Sequence, residues 1–116
     1  MKKYKTLGKY ILKGKKIVEC ADLFEWAEWF EESKNRIIKQ ETLNNGLEVS
    51  TIFLGLNHNF SGKGKPVLFE TMVFEPLKKG EEFRNGLYQE RCSTRKKAKE
   101  MHKRIFEKFK NYKKNK

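Results

Sequence analysis

The sequence predicts an α+β fold: a largely antiparallel sheet of about five to six strands with two helices, in the order β-β-α-β-β-β-β-α. Three observations predict it. Two amphipathic stretches of helical period, near residues 22–32 and 93–112, bracket a middle region of short apolar runs. Turn-forming residues punctuate those runs: Gly14, Asn44-Asn45-Gly46, a Gly- and Ser-rich loop ending at Pro66, and a second loop from Pro76 to Gly86. Short connections join consecutive strands, which favours antiparallel neighbours with the helices packed against the sheet.

The elements follow in order. Residues 9–20 read as a hairpin, two β-prone runs around a glycine-containing turn. Asp22 is a good N-cap, and Glu25 three residues on completes a capping box. The helix after it places Leu23, Trp26, Ala27 and Phe30 on one face and Glu25, Glu28 and Glu32 on the other. Ile37 to Leu43 reads as an edge strand, because charges interrupt it. Asn45-Gly46 suits the positive φ of a type I′ turn. Val49 to Leu56 returns as a more apolar strand. Val67 to Phe74, bulky on both faces, reads as central. Leu87 to Cys92 is a short strand, and Ser93 or Thr94 caps a last helix running to about Tyr112.

The chain has 116 residues, enough for one hydrophobic core, so we expect a single domain over 1–116 with frayed basic ends at 1–8 and 112–116. No apolar run approaches the length of a membrane span. The basic start, Met1-Lys2-Lys3-Tyr4-Lys5, is not followed by the apolar stretch of a signal peptide. Two cysteines, Cys20 and Cys92, are too few for a disulfide framework. They read as reduced thiols in a cytoplasm.

The net charge of +12 is unevenly spread. Residues 1–16 hold seven lysines and no acid, and residues 95–116 hold eleven Lys/Arg against two acids. Residues 17–94 hold nine Lys/Arg against thirteen acids. Brought together, the basic ends would make a strong positive patch for nucleic acid or an acidic protein face.

Four side chains stand out as candidate metal ligands. Glu70 shares the period-two face of Leu68, Met72 and Phe74, where a carboxylate must be paired, ligated or protonated. His102 falls inside the apolar stripe of Ala98, Met101, Ile105 and Phe109. His58 sits just past one strand, and Cys92 closes another. Two imidazoles, a thiolate and a carboxylate form a sensible zinc set. No two of them have local ligand spacing, however, and ordinary partners account for each as well. His102 could bond a backbone carbonyl, Glu70 could pair with Arg91 or a lysine, and Cys92 could be a small buried hydrophobe.

Catalytic motifs are lacking. Ser61-Gly62-Lys63-Gly64-Lys65 suggests a phosphate loop but precedes a strand instead of a helix. A metal hydrolase using Glu70 as ligand or base is the least supported option, and an enzyme is not the expected reading. The last helix is more informative. Arg95, Lys96 and Lys97 stand in its first turn against the helix dipole, at a cost of about 0.3–1 kcal/mol each. An anionic partner would relieve that cost, whereas solvent screening alone would reduce it. Lys103, Arg104 and Lys108 continue the basic surface, and these six residues are the candidate partner- or nucleic-acid-binding set.

The run from Val49 to Phe60, with Phe53-Leu54-Gly55-Leu56-Asn57-His58, and the run Gly64-Lys65-Pro66-Val67-Leu68-Phe69-Glu70-Thr71-Met72-Val73-Phe74 resemble a family of small, mostly uncharacterised phage proteins. The helix from Asp22 to Glu31, Arg91-Cys92-Ser93-Thr94, Ala98 and His102 also resemble it, so the likeness spans roughly residues 10–106. It implies a viral or prophage origin and the cytoplasm of an infected bacterium. It also implies that His58, Glu70 and His102 belong to the family pattern, which favours zinc. Asn57 stands where that family has Asp, and Arg95-Lys96-Lys97 where it has Glu residues.

Three functions are expected in descending order. The first is a zinc-containing, non-enzymatic inhibitor of host machinery such as a defence nuclease, of the anti-CRISPR type, acting without DNA mimicry because the chain is basic. The second is a basic nucleic-acid-binding protein with salt-sensitive, sequence-tolerant affinity. The third is a small metal-dependent hydrolase.

Overall fold

The computed structural model describes residues 8–113 and has the expected α+β class and element order. Strands β1 (Tyr10–Lys13) and β2 (Lys16–Glu19) form a hairpin. Helix α1 (Leu23–Glu31) and a 3-10 turn (Ser33–Asn35) lead to β3 (Ile37–Thr42), β4 (Glu48–Phe53), β5 (Phe69–Phe74) and β6 (Gly86–Cys92). Helix α2 (Arg95–Phe109) closes the fold. The last four strands make one antiparallel sheet in the order β3-β4-β5-β6, so β3 is an edge strand and β5 is internal.

The strands divide into sheets of two and four, where the sequence led us to expect a single sheet of five to six. The division is made at Gly55. Its φ of +75° turns the chain out of the ladder after Phe53, so β4 stops three residues before the expected Leu56. Tyr10 then donates its backbone N–H to the Gly55 carbonyl (2.8 Å), and Lys9 bridges Leu56. A side chain at Gly55 would sit 3.1 Å from the Phe30 ring, and the Trp26 indole donates to the Gly55 carbonyl (3.0 Å). This one glycine therefore lets the hairpin, α1 and the sheet end meet.

Helix α1 starts as expected, with Asp22 Oδ1 accepting from the Phe24 and Glu25 backbone N–H groups. Its apolar face is wider than predicted. Trp29 also points inward, edge-on to Phe53 at 5.7 Å, while Leu23 is 38% exposed.

The β3–β4 connection differs from a type I′ turn, which needs positive φ at both central residues. Only Gly46 has it (+88°), and the Gly46 N–H bonds the Leu43 carbonyl. That is a tight turn followed by a glycine bulge, and it frees the Asn45 side chain for another task. Asn45 Nδ2 donates to the carbonyls of Phe109 and Tyr112, satisfying the end of α2. Helix α2 accordingly stops at Phe109, short of the expected Tyr112.

One face of the sheet packs against α2. Val49, Thr51 and Phe53 of β4 and Phe69, Thr71 and Val73 of β5 are fully buried there. Ala98, Met101, His102, Ile105 and Phe109 are the buried stripe of α2. The apolar residues separate into two clusters. One gathers Leu43, Leu47, Val49, Val73, Met101, Ile105 and Phe109, and the other gathers Phe53, Leu68, Phe69 and Ala98. Thr51, Thr71 and His102 form a polar layer between them.

The basic ends of the chain, where described, lie at opposite ends of this sheet. Gly8 bonds Asn57 beyond the end of β4, and Tyr112 bonds Asn45 beyond its start. The rest of the two expected frayed ends, residues 1–7 and 114–116, lies outside the described residues. No helix among the described residues is long and apolar enough to cross a membrane.

Candidate functional site

The polar layer reaches the surface between β3 and α2. A register shift between Ile37 and Lys39 lets Ile38 pack into the apolar cluster of Phe53, while Lys39 and Glu41 turn toward the helix. Lys99, His102, Lys103 and Phe106 face them, one helical turn apart in sequence. Together these side chains line an open groove of about 490 Å³.

At its floor runs a continuous hydrogen-bond chain. Glu41 Oε1 lies 2.8 Å from His102 Nε2, His102 Nδ1 lies 2.6 Å from Thr51 Oγ1, and Thr51 Oγ1 lies 2.5 Å from Thr71 Oγ1. An ionised Glu41 can only accept, so Nε2 carries a proton. With a neutral imidazole, Thr51 then donates to Nδ1 and Thr71 donates to Thr51. Every member of the chain is satisfied, which is what allows three polar side chains to sit between two apolar clusters. The order carboxylate, imidazole, hydroxyl is that of a nucleophilic triad. Yet Thr51 is fully buried, so no substrate reaches its oxygen, and the chain holds structure.

The hydrogen bond from His102 holds the Glu41 carboxyl below the usual carboxylate range, with nearby Lys39 adding to it and partial burial opposing it. Arg104 does the same for Glu90, helped by Tyr88 and again opposed by burial. A carboxyl with a depressed folded value adds stability that is complete above its unfolded value and lost as pH falls through the folded one. We therefore expect the urea midpoint to hold steady from about pH 7 to about pH 5, then to fall as pH drops below the ordinary carboxylate value of about 4.3. Glu41→Gln and Glu90→Gln should each flatten that fall in urea titrations run across the acid range.

The four candidate zinc ligands are not brought together. His102 projects from α2 onto one face of the sheet, whereas Glu70, one residue before Thr71, points to the opposite face and is paired with Arg91 (Nε to Oε2, 2.8 Å). Both His102 nitrogens are engaged by Thr51 and Glu41. His58 Nδ1 bonds the Leu56 carbonyl (2.8 Å) in the loop beyond β4. Cys92 donates weakly to the Thr94 carbonyl (3.7 Å), and burial raises its thiol above the ordinary value, as it does for Cys20. Among the described residues no three His, Cys, Asp or Glu side chains close on a point that could hold a metal. As placed, the set does not fit a zinc ion.

The six basic candidates on α2 separate onto different flanks. Arg104 forms an ion pair with Glu90, and Lys108 lies 4.4 Å over the Tyr88 ring, so both are held against β6. Lys97 lines a shallow hollow on that flank with Glu90 and Glu100. Lys103 lines the β3 groove instead. Arg95 and Lys96 stand in the first turn, where Thr94 caps the helix through the Lys97 N–H. The Nε and Nη1 atoms of Arg95 are buried and make no hydrogen bond. The β6 flank is thus neutralised by acids, while the β3 flank carries three lysines and one carboxylate, Glu41, which bonds His102 and pairs with Lys39 (3.5 Å).

Lys39, Lys99 and Phe106 went unread in the sequence. The spacing of Lys99, Lys103 and Phe106 at i, i+4 and i+7 marks one helix face, but Lys39 joins it only through strand register and the bulge. No family model, curated protein or solved structure matches this chain.

Proposed function

We propose that this protein is a non-catalytic binding protein that holds nucleic acid by its phosphates along the groove between β3 and α2. The observation that carries the reading is the grouping of Lys39, Lys99 and Lys103 around a groove whose lone carboxylate, Glu41, is shared between His102 and Lys39 (3.5 Å), which leaves Lys99 and Lys103 facing the groove without an acid of their own. Lys99 and Lys103 form no ion pair among the described residues, and lysines of that kind attract phosphates and release condensed counterions when they meet them. Phe106 and Ile38 supply apolar walls that exclude water from the contact. The setting is a bacterial cytoplasm, where Cys20 and Cys92 stay reduced. Covering nucleic acid is also one way for a phage accessory protein to keep a host defence nuclease from its target, so the inhibitor expected from the resemblance would work through the same lysines.

Fluorescence anisotropy of labelled DNA and RNA, at several salt concentrations, tests the reading. Two to three phosphate contacts, Lys39 being paired with Glu41, predict a slope of log affinity against log salt of about −1.4 to −2.7. Lys99→Ala and Lys103→Ala should each make the slope shallower by about one and weaken binding on every sequence alike. Arg104→Ala should change the slope much less, because its charge is spent on Glu90. Absence of salt-sensitive binding, or a slope indifferent to both lysines, would sink the proposal.

A further inference from the structure

Beyond the end of β4, residues 57–66 form a loop whose backbone is tied by its own side chains. Asn57 Oδ1 accepts from the backbone N–H groups of Asn59 (2.8 Å) and Val67 (3.0 Å). Asn59 Nδ2 donates to the carbonyls of Lys63 (2.7 Å) and Lys65 (2.9 Å), while its Oδ1 accepts from the Ser61 N–H (3.1 Å). His58 donates its N–H to the Val67 carbonyl across the base of the loop. A loop held this way has lost most of its freedom before any partner arrives.

What it holds out is Phe60, 84% exposed, with the His58 ring 5.8 Å away. A single exposed apolar side chain is ordinary, and two others among the described residues are nearly as bare. Those two have acidic company in sequence: Phe24 precedes Glu25 on α1, and Phe83 follows Glu81 and Glu82. The Phe60 loop has no acid between Asn57 and Phe69 and carries Lys63 and Lys65. Strand directions place it at the end of the sheet where β6 ends and α2 begins with Arg95, Lys96 and Lys97. Lys99 of the groove is one turn further along that helix.

We infer that Phe60 is a stacking platform for an unpaired base, and that the ligand held in the groove is single-stranded nucleic acid. The inference rests on the phosphate-binding reading of the groove. A fixed loop loses little entropy on ordering, an aromatic ring stacks on any base, and flanking lysines meet the phosphates on either side of it. A duplex keeps its bases stacked on one another and offers Phe60 nothing comparable.

The test compares a labelled oligothymidine with a hairpin duplex of equal length, by anisotropy at one low salt concentration. Phe60→Ala should weaken oligothymidine binding about tenfold and leave duplex binding unchanged, and Phe60→Trp should restore it. Phe83→Ala, an equally exposed phenylalanine at the other end of the sheet, should have no effect. Equal oligothymidine affinity for Phe60→Ala and the parent protein would overturn the inference, and so would an equal loss on both ligands. If Lys99→Ala and Lys103→Ala still weaken both ligands in that case, the groove reading survives without it. If the parent protein binds neither ligand, both fail together.

Discussion

Replacing His102 by alanine should lower the unfolding free energy by about 3–4 kcal/mol, a large part of what a domain of this size has to lose. Two effects add. The ring is 2% exposed and fills space between the clusters of Ile105 and Ala98, so its removal leaves a cavity. It also strips Thr51 of one partner and frees Glu41 from the bond that holds it. Thr51→Val, which preserves shape, should cost less, about 1–3 kcal/mol, because it leaves only polar groups unpaired. Urea denaturation followed by circular dichroism measures both. A loss under about 1 kcal/mol for His102→Ala would mean that the chain of bonds is no stronger than a surface contact. Elemental analysis of the parent and variant separates this account from a metal. The stability loss is expected on a protein that carries no zinc. About one zinc per chain, gone in the variant, would put a metal in place of this chain of hydrogen bonds and return His102 to the role first expected of it.

The same residue shows what could and could not be read from sequence. Its place in the buried stripe of α2 was legible from helical period alone, as were the edge position of β3 and the central position of β5, because apolar period and interrupting charges report burial directly. Its partners were not. Thr51 and Thr71 look like ordinary strand residues, and Glu41 sits in a segment of mixed charge. They meet His102 only because β3, β4 and β5 pair in one register. Glu70 illustrates the converse. It was correctly marked as a carboxylate in need of a partner, and Arg91 is directly across the ladder. Period two places a residue on a face but does not say which face the helix covers, so Glu70 and His102 could be imagined together until the layer order separated them. The split into two sheets was hidden for a related reason. One glycine at positive φ decides it, and Gly55 in a run of apolar residues reads as a weak point in a strand, with no sign of the Trp26 and Phe30 rings that close around it.

Phe53→Ala should cost about 3–5 kcal/mol and test how the two sheets hold together. Phe53 is the last residue of β4 and is fully buried. Its ring meets Trp29 of α1 edge-on and Phe69 of β5 at 5.3 Å, and Ala98 of α2 belongs to the same cluster. Tyr10, Leu12 and Ile17 of the hairpin also pack against that cluster. Backbone bonds between hairpin and sheet end are few, chiefly Tyr10 to Gly55 and Asn57 to Gly8. An isolated two-stranded hairpin is marginal in water, so β1 and β2 depend on this apolar contact for their order. Hydrogen exchange should therefore show more than a uniform loss. Amides of β1 and β2 should lose protection first and most, while those of β4 and β5 near Val49 and Val73 keep theirs until global unfolding. Equal loss of protection everywhere would mean that the two sheets unfold as one unit, with Phe53 serving both alike. The distinction matters for the proposed ligand, because Asn57 and Gly8 join the hairpin to the base of the Phe60 loop. If the hairpin detaches first, Phe53→Ala should also blunt the preference for oligothymidine over duplex, under conditions where the four-stranded sheet and its lysine groove remain folded.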